Sequence, residues 1–184
     1  KHSYQQTYSS LVRLTNQVAK EGPDLIAWSE TAFVPNIRRW SQEDPERYSY
    51  ARLVQDFLEY QESLGAWLLT GNDDYEILHG KDGEEERLNY NAAILFSDEG
   101  KRVETYRKIR LVPFTEYFPF RRQFPWFYNL LLDFDVNLWE PGDKRIIFEH
   151  PEFSFCTPIC FEDVFPGEVR EFILEGADLI INLS

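Results

Sequence analysis

Residues 157–166 read TPICFEDVFP, and in them an apolar strand pattern hands over to a helix. Phe153, Phe155 and Ile159 mark a short buried strand. Phe161, Glu162 and Asp163 then lead away from it toward a helix beginning near Glu168. A side chain at such a handover is held rigidly yet can face a cleft, which is what a nucleophile requires. Cys160 occupies that position. A free cysteine is more often a small apolar side chain packed in a core, so its partners must decide.

Working outward, the same alternation recurs along the chain. Residues 4–19 place Tyr4, Tyr8, Leu11, Leu14 and Val18 on one helical face, and Gly22-Pro23 stops the helix. Residues 24–28 form a near-continuous apolar run, typical of a strand buried on both faces, and deliver Ser29-Glu30 at its end. A second helix is expected over residues 46–63, closed by Gly65. A buried strand follows over residues 66–70, with Gly71-Asn72 expected to end it. Residues 73–88, acidic and polar, read as a solvated loop. Residues 91–97 and 102–108 read as a hairpin turning at Asp98-Glu99-Gly100-Lys101. Strands at 146–148 and 153–159, the short helix and a strand at 178–183 complete the series. Helix and strand in alternation favour layered α/β packing. Gly22-Pro23-Asp24-Leu25-Ile26 is echoed by Gly176-Ala177-Asp178-Leu179-Ile180, which suggests a sheet system built twice.

Composition excludes several classes. The chain of 184 residues is long enough for one domain with a sizeable core. Its 19 basic against 32 acidic residues give a net charge of -13, which argues against nucleic acid as a partner, because phosphate backbones need clustered Lys and Arg. Cys156 and Cys160, the two cysteines, fit neither a disulfide framework nor a zinc knuckle. In an extended strand they lie roughly 13 Å apart. No apolar run approaches the roughly 20 residues that span a bilayer. The chain has no Met, opens on the approach to a helix and stops just after an apolar strand pattern, so it reads as an excerpt of a longer protein.

Glu30, Lys108 and Cys160 each stand where an expected strand ends, and groups on different strand ends can converge on one side of an α/β core. Acyl transfer asks for three roles. A thiol needs a base or a positive neighbour to act as a thiolate near neutral pH. A carboxylate can take its proton, and an ammonium can hold the oxyanion formed on attack. Singly, Glu30 could be an exposed loop acid and Lys108 a strand-edge lysine. His2, His79 and His150 lie beside no Ser or Cys motif, so a Ser-His-Asp reading has little support.

The pieces IAWSETAFVP, YRKIRLVPFTEYFPF and PICFEDVFP resemble, in order, the three catalytic segments of the nitrilase, or carbon-nitrogen hydrolase, superfamily with its Glu-Lys-Cys triad. Within it the chain is most similar to the apolipoprotein N-acyltransferase family. Residues 111–117, Leu-Val-Pro-Phe-Thr-Glu-Tyr, resemble that family's Leu-Val-Pro-Phe-Gly-Glu-Tyr. Pro141-Gly142-Asp143 and Gly176-Ala177-Asp178 fit as well. Departures are Ser29 for Pro, Thr115 for Gly, and Phe161 for Tyr, the last removing a hydroxyl beside the thiol.

The resemblance implies an α-β-β-α four-layer sandwich, of which residues 1–184 are a partial nitrilase-like catalytic domain lacking flanking strands and the parent's membrane helices. It implies that Cys160 attacks a phospholipid acyl ester with Glu30 as base and Lys108 on the oxyanion. The thioester then passes its acyl chain to the α-amino group of an apolipoprotein's diacylglyceryl-modified N-terminal cysteine. Glu116 and Glu162 are implied as supporting acids, with no metal and no cofactor. The implied setting is the periplasmic side of a bacterial inner membrane.

A lipid-facing loop has its own signal in the residues. Residues 113–139 hold ten of the chain's 30 aromatic residues, Phe118, Phe120, Trp126 and Phe127 among them. Arg107, Lys108, Arg110, Arg121 and Arg122 form a basic cluster beside them, and such a mixture suits a lipid interface. An aromatic core element under a long loop is the other reading of these residues. Two functional alternatives stay open: a soluble nitrilase-type amidase or carbamoylase using the same triad on a small amide, and an inert fragment or binding module of the same fold.

Overall fold

The structure is a computed structural model, and it describes residues 2–80, 82–117 and 138–184. Helix α1 (His2–Val18) turns its aromatic and aliphatic face inward, with Tyr4, Tyr8 and Leu11 packed on the core. Its chain ends at Gly22, whose φ of 67° is open to glycine at little cost. Strand β1 (Leu25–Ala27) follows, then one turn of helix α2 (Ile37–Trp40) capped by the Asn36 side chain. Helix α3 (Ser49–Leu64) buries Leu53, Val54 and Phe57 and stops at Gly65, φ 64°.

Strands β2 (Trp67–His79), β3 (Glu85–Phe96) and β4 (Arg102–Arg107) complete a four-stranded sheet in the order β1-β2-β3-β4. β1 runs parallel to β2, and β2-β3-β4 is an antiparallel meander. A second sheet orders β5 (Phe148–Glu149), β6 (Ser154–Cys156) and β7 (Leu179–Ile180). Helix α4 (Pro166–Leu174) precedes β7.

Two apolar layers hold these parts. One face of the first sheet gives Ile26, Leu68, Ile94 and Phe96 to a core shared with Phe33, Val54 and Phe57 beneath α1 and α3. The opposite face gives Leu69, Ala93, Leu95 and Tyr106 to a core shared with Phe148, Phe155 and Cys156 of the second sheet and Phe172 of α4. The order is helix, sheet, sheet, helix. The expected echo is real in geometry: Gly22 and Gly176 both have positive φ, and each leads into a strand paired in parallel, one per sheet.

Two expectations fail. Gly71-Asn72 does not end its strand, and most of residues 73–88 is paired strand rather than solvated loop; β2 and β3 stay paired from Leu68 and Phe96 out to His79 and Glu85. Gly71 is a close-approach residue instead. A Cβ there would sit 1.9 Å from the Glu30 carbonyl oxygen. The acidic run misled because charged side chains on a long two-stranded extension stay solvated on either face. The strand expected at 153–159 is also shorter, because Pro158 has no N–H to continue the ladder; pairing resumes at an isolated parallel bridge between Ile159 and Leu183.

Candidate active site

Glu30 lies in the turn after β1, on a segment pinned from beneath. The Trp28 N–H donates to the Leu69 carbonyl at 2.8 Å. Asn72, buried on β2, donates through Nδ2 to the Phe33 and Pro35 carbonyls and accepts from the Ile37 N–H. The two residues read as a strand end thus seat the Glu30 loop.

Lys108 directly follows β4. Its N–H donates to the Asn91 carbonyl and its own carbonyl accepts from Gly142, both at 2.8 Å. Gly142 serves like Gly71, since a Cβ there would lie 2.2 Å from the Arg107 carbonyl oxygen. The Lys108 side chain is fully buried, and its Nζ donates to Glu116 Oε1 at 2.7 Å and to Glu30 Oε1 at 3.3 Å. Glu116 is itself held by the Val112 N–H on Oε2 at 2.8 Å.

Cys160 opens a single 3-10 turn, Cys160–Val164, in the left-handed region at φ 50°. Only a surrounding scaffold keeps a non-glycine residue there. Part of that scaffold is the Cys160 N–H bond to the Leu183 carbonyl at 2.7 Å. The rest is Glu162, whose buried carboxylate accepts from the Tyr106 hydroxyl and from the Ile109, Arg110 and Ile159 N–H groups at 2.8 to 2.9 Å. One carboxylate therefore ties the chain after Lys108 to the turn that presents the thiol.

The thiol lies in the electrostatic field of both Glu30 and Lys108. Burial is the main force pushing its pKa up; the Glu30 charge adds to it and Lys108 pulls the other way. Burial also opposes the Lys108 charge, but the bond to Glu116 and the charge of Glu30 outweigh it, and the ammonium titrates above its ordinary value. The arrangement brings a thiol whose proton is held on more firmly than usual, a carboxylate and a buried cation into one another's fields.

Asn91 is the residue that sequence reading missed. Its Nδ2 donates to Glu30 Oε1 at 2.7 Å and lies 3.5 Å from Glu116 Oε1, so it spaces the two acids. Cys156 is buried in the second core, where its thiol is pushed up to about 11, and both cysteines are free. Of the basic cluster, Lys108 lies beside Glu30 and Glu116, Arg107 pairs with Asp74 and Glu76, and Arg110 pairs with Glu168. Arg121, Arg122, Phe118, Phe120, Trp126 and Phe127 fall outside the described residues. Among the described residues no group of three or more His, Cys, Asp or Glu side chains could hold a metal ion, and no helix is long and apolar enough to cross a membrane.

An apolar cavity of about 450 Å³ opens beside Phe161, walled by Ile109, Leu111, Pro113, Tyr117 and Phe165. A second, of about 530 Å³, lies past Asn91 along the β2–β3 hairpin.

Residues 2–184 match the family model described as carbon-nitrogen hydrolase. Among curated relatives, apolipoprotein N-acyltransferase 1 of Treponema pallidum is 42% identical over 189 residues, covering 99% of this chain and 34% of that protein. Its namesake from Treponema denticola is 39% identical over 196 residues, covering 98% and 36%. The chain thus spans about a third of the length of these relatives. Among solved structures, an amidase from Nesterenkonia sp. superposes with a TM-score of 0.59 at 18% identity, over 97% of this chain and 58% of that one. A glutamine-dependent NAD+ synthetase from Acinetobacter baumannii does so with 0.59 at 15%, over 98% and 29%. At such identities the likeness is one of fold.

Proposed function

The chain belongs to the carbon-nitrogen hydrolase family, and from that premise we propose that it is the catalytic part of an acyltransferase that moves a fatty acyl chain from phospholipid to an apolipoprotein. What supports the reading is the contact of Lys108 Nζ with Glu30 Oε1 at 3.3 Å, with the Cys160 thiol, carried on a different strand end, within the field of both. The similarity to apolipoprotein N-acyltransferases over nearly the whole chain supports the choice of acyl donor and acceptor.

In the first half-reaction Glu30 takes the thiol proton and the Cys160 sulfur attacks the ester carbonyl carbon. Lys108 holds the resulting oxyanion, with Glu116 and Asn91 keeping the ammonium and carboxylate in register. Collapse breaks the carbon–oxygen bond, and the lysophospholipid leaves with the proton from Glu30. A thioester remains on Cys160. In the second half-reaction the α-amino group of the diacylglyceryl-modified N-terminal cysteine attacks the thioester, Glu30 receives the amine proton, and Cys160 departs as thiolate and is reprotonated. The product is an amide. The apolar cavity beside Phe161 is suited to the acyl chain. Such substrates place the domain at a membrane surface, in our reading the periplasmic face of a bacterial inner membrane, anchored by the rest of its parent.

Incubation of the full-length protein with a phospholipid, followed by mass spectrometry, tests the proposal. An acyl adduct on Cys160, discharged by a diacylglyceryl-cysteinyl peptide, is expected. Hydrolysis of a small amide without that adduct would instead make the protein an amidase, and inertness toward both would make it a binding module.

A further inference from the structure

The second cavity offers features that the triad does not use. Strand geometry ties it to the site: Asp73 pairs in register with Asn91, Asn89 stands one strand repeat from Asn91 on the same face, and all but Asn91 line the cavity. Trp139, also in its wall, donates its N–H to the Glu116 carbonyl.

Two guanidiniums face this space from different elements, Arg39 of α2 and Arg87 of β3. Each rests on an aromatic face, Arg39 on Trp40 at 4.8 Å and Arg87 on Tyr75 at 4.2 Å. Arg87 is further fixed by its Nε bond to Asn89 Oδ1. Arg38, Arg52, Arg102, Arg107, Arg110 and Arg145 all form ion pairs. Among the described residues neither Arg39 nor Arg87 has a carboxylate at salt-bridge distance. Stacked in this way, a guanidinium keeps its N–H edge free for a planar or tetrahedral anion, and phosphate suits that fork. Tyr4, Trp40 and Tyr50 form one contiguous aromatic wall that can cover carbon rather than charge.

We propose that this cavity is the subsite that grips the phosphate of the acyl donor, through Arg39 and Arg87, with the glycerol against the aromatic wall and the ester directed past Asn91 to Cys160. The assignment rests on the phospholipid reading of the site. The few bonds of a glycerol between phosphate and ester suit a step of one strand repeat. Asp73 is the countercharge the subsite must tolerate.

The test uses the full-length protein and two acyl donors, a phospholipid and the phosphate-free p-nitrophenyl palmitate, read as the ratio of their kcat/KM values for acylating Cys160. Losing charge-assisted hydrogen bonds at both arginines, Arg39→Gln with Arg87→Gln should lower that ratio about a hundredfold, through KM for the phospholipid. Asp73→Asn should raise it. A ratio unmoved by the arginine changes, in protein with an unaltered melting temperature, overturns the subsite alone. Wild-type protein acylated by neither donor overturns the acyltransferase reading on which it rests. Glycerol 3-phosphate should compete at lower concentration than inorganic phosphate and lose that effect in the double variant. Inorganic phosphate competing equally well would make the cavity a free-phosphate site and overturn its assignment to the donor.

Discussion

At Cys160 the carboxylate beside the thiol has two opposed effects, and they can be separated. Burial does most to hold the sulfur proton on and the Glu30 charge adds to it, while Lys108 draws it off. Glu30→Gln should therefore move the pH profile of Cys160 alkylation by iodoacetamide to lower pH, since Lys108 is then opposed by burial alone. Thioester formation should nevertheless fall by about 10²- to 10⁴-fold, the usual contribution of a general base. A profile moving upward would remove Glu30 from the thiol's neighbourhood. Cys160→Ala should abolish the acyl adduct and Cys156→Ala should spare it, because Cys156 lies in the second core, away from the cleft; mass spectrometry of both variants decides this. Glu30, Lys108, Glu116, Cys160 and Glu162 were legible in the sequence because each stands in a recognisable segment. Asn91 was not. Its meaning depends on Glu30, 61 residues away, and on a strand register that no local pattern announces.

The elements carry a similar lesson about glycine. In sequence, Gly71-Asn72 after an apolar run is a turn signal; in space it is mid-strand, because the Glu30 turn descends onto the sheet where only a hydrogen fits. Gly71→Ala forces Cβ against backbone that cannot yield, and should cost about 1–3 kcal/mol, the range of overpacking. For a domain of this size that corresponds to a melting temperature lower by about 2–4 °C per kcal/mol. Acylation should fall further than that loss of fold explains, because Glu30 itself is displaced. Gly167→Ala, with open space around its added carbon, is the control and should leave both readings in place. Helices and buried strands were legible from their periods. The outer half of the β2–β3 hairpin was not, since its residues are mostly charged and its strand character comes from pairing alone.

For the whole molecule, Asp73 sets a pH window. Burial raises its carboxyl from 3.8 to about 6, with Arg87 only partly offsetting it. A raised carboxyl favours the folded state below its unfolded value near 4, and this advantage disappears as pH rises through about 6. At neutral pH the charged form then costs the fold at most about 3 kcal/mol. Thermal melting of Asp73→Asn should accordingly show a gain at pH 7 that vanishes at pH 4; an equal gain at both would mean that packing, rather than charge, is responsible.

The left-handed backbone at residue 160 has a consequence for any laboratory evolution of this protein. Glycine is at ease in that conformation, which costs most other residues about 1–2 kcal/mol. A screen that rewards heat resistance alone would thus drift toward replacing the nucleophile, and would enrich robust, inert descendants unless turnover were selected alongside.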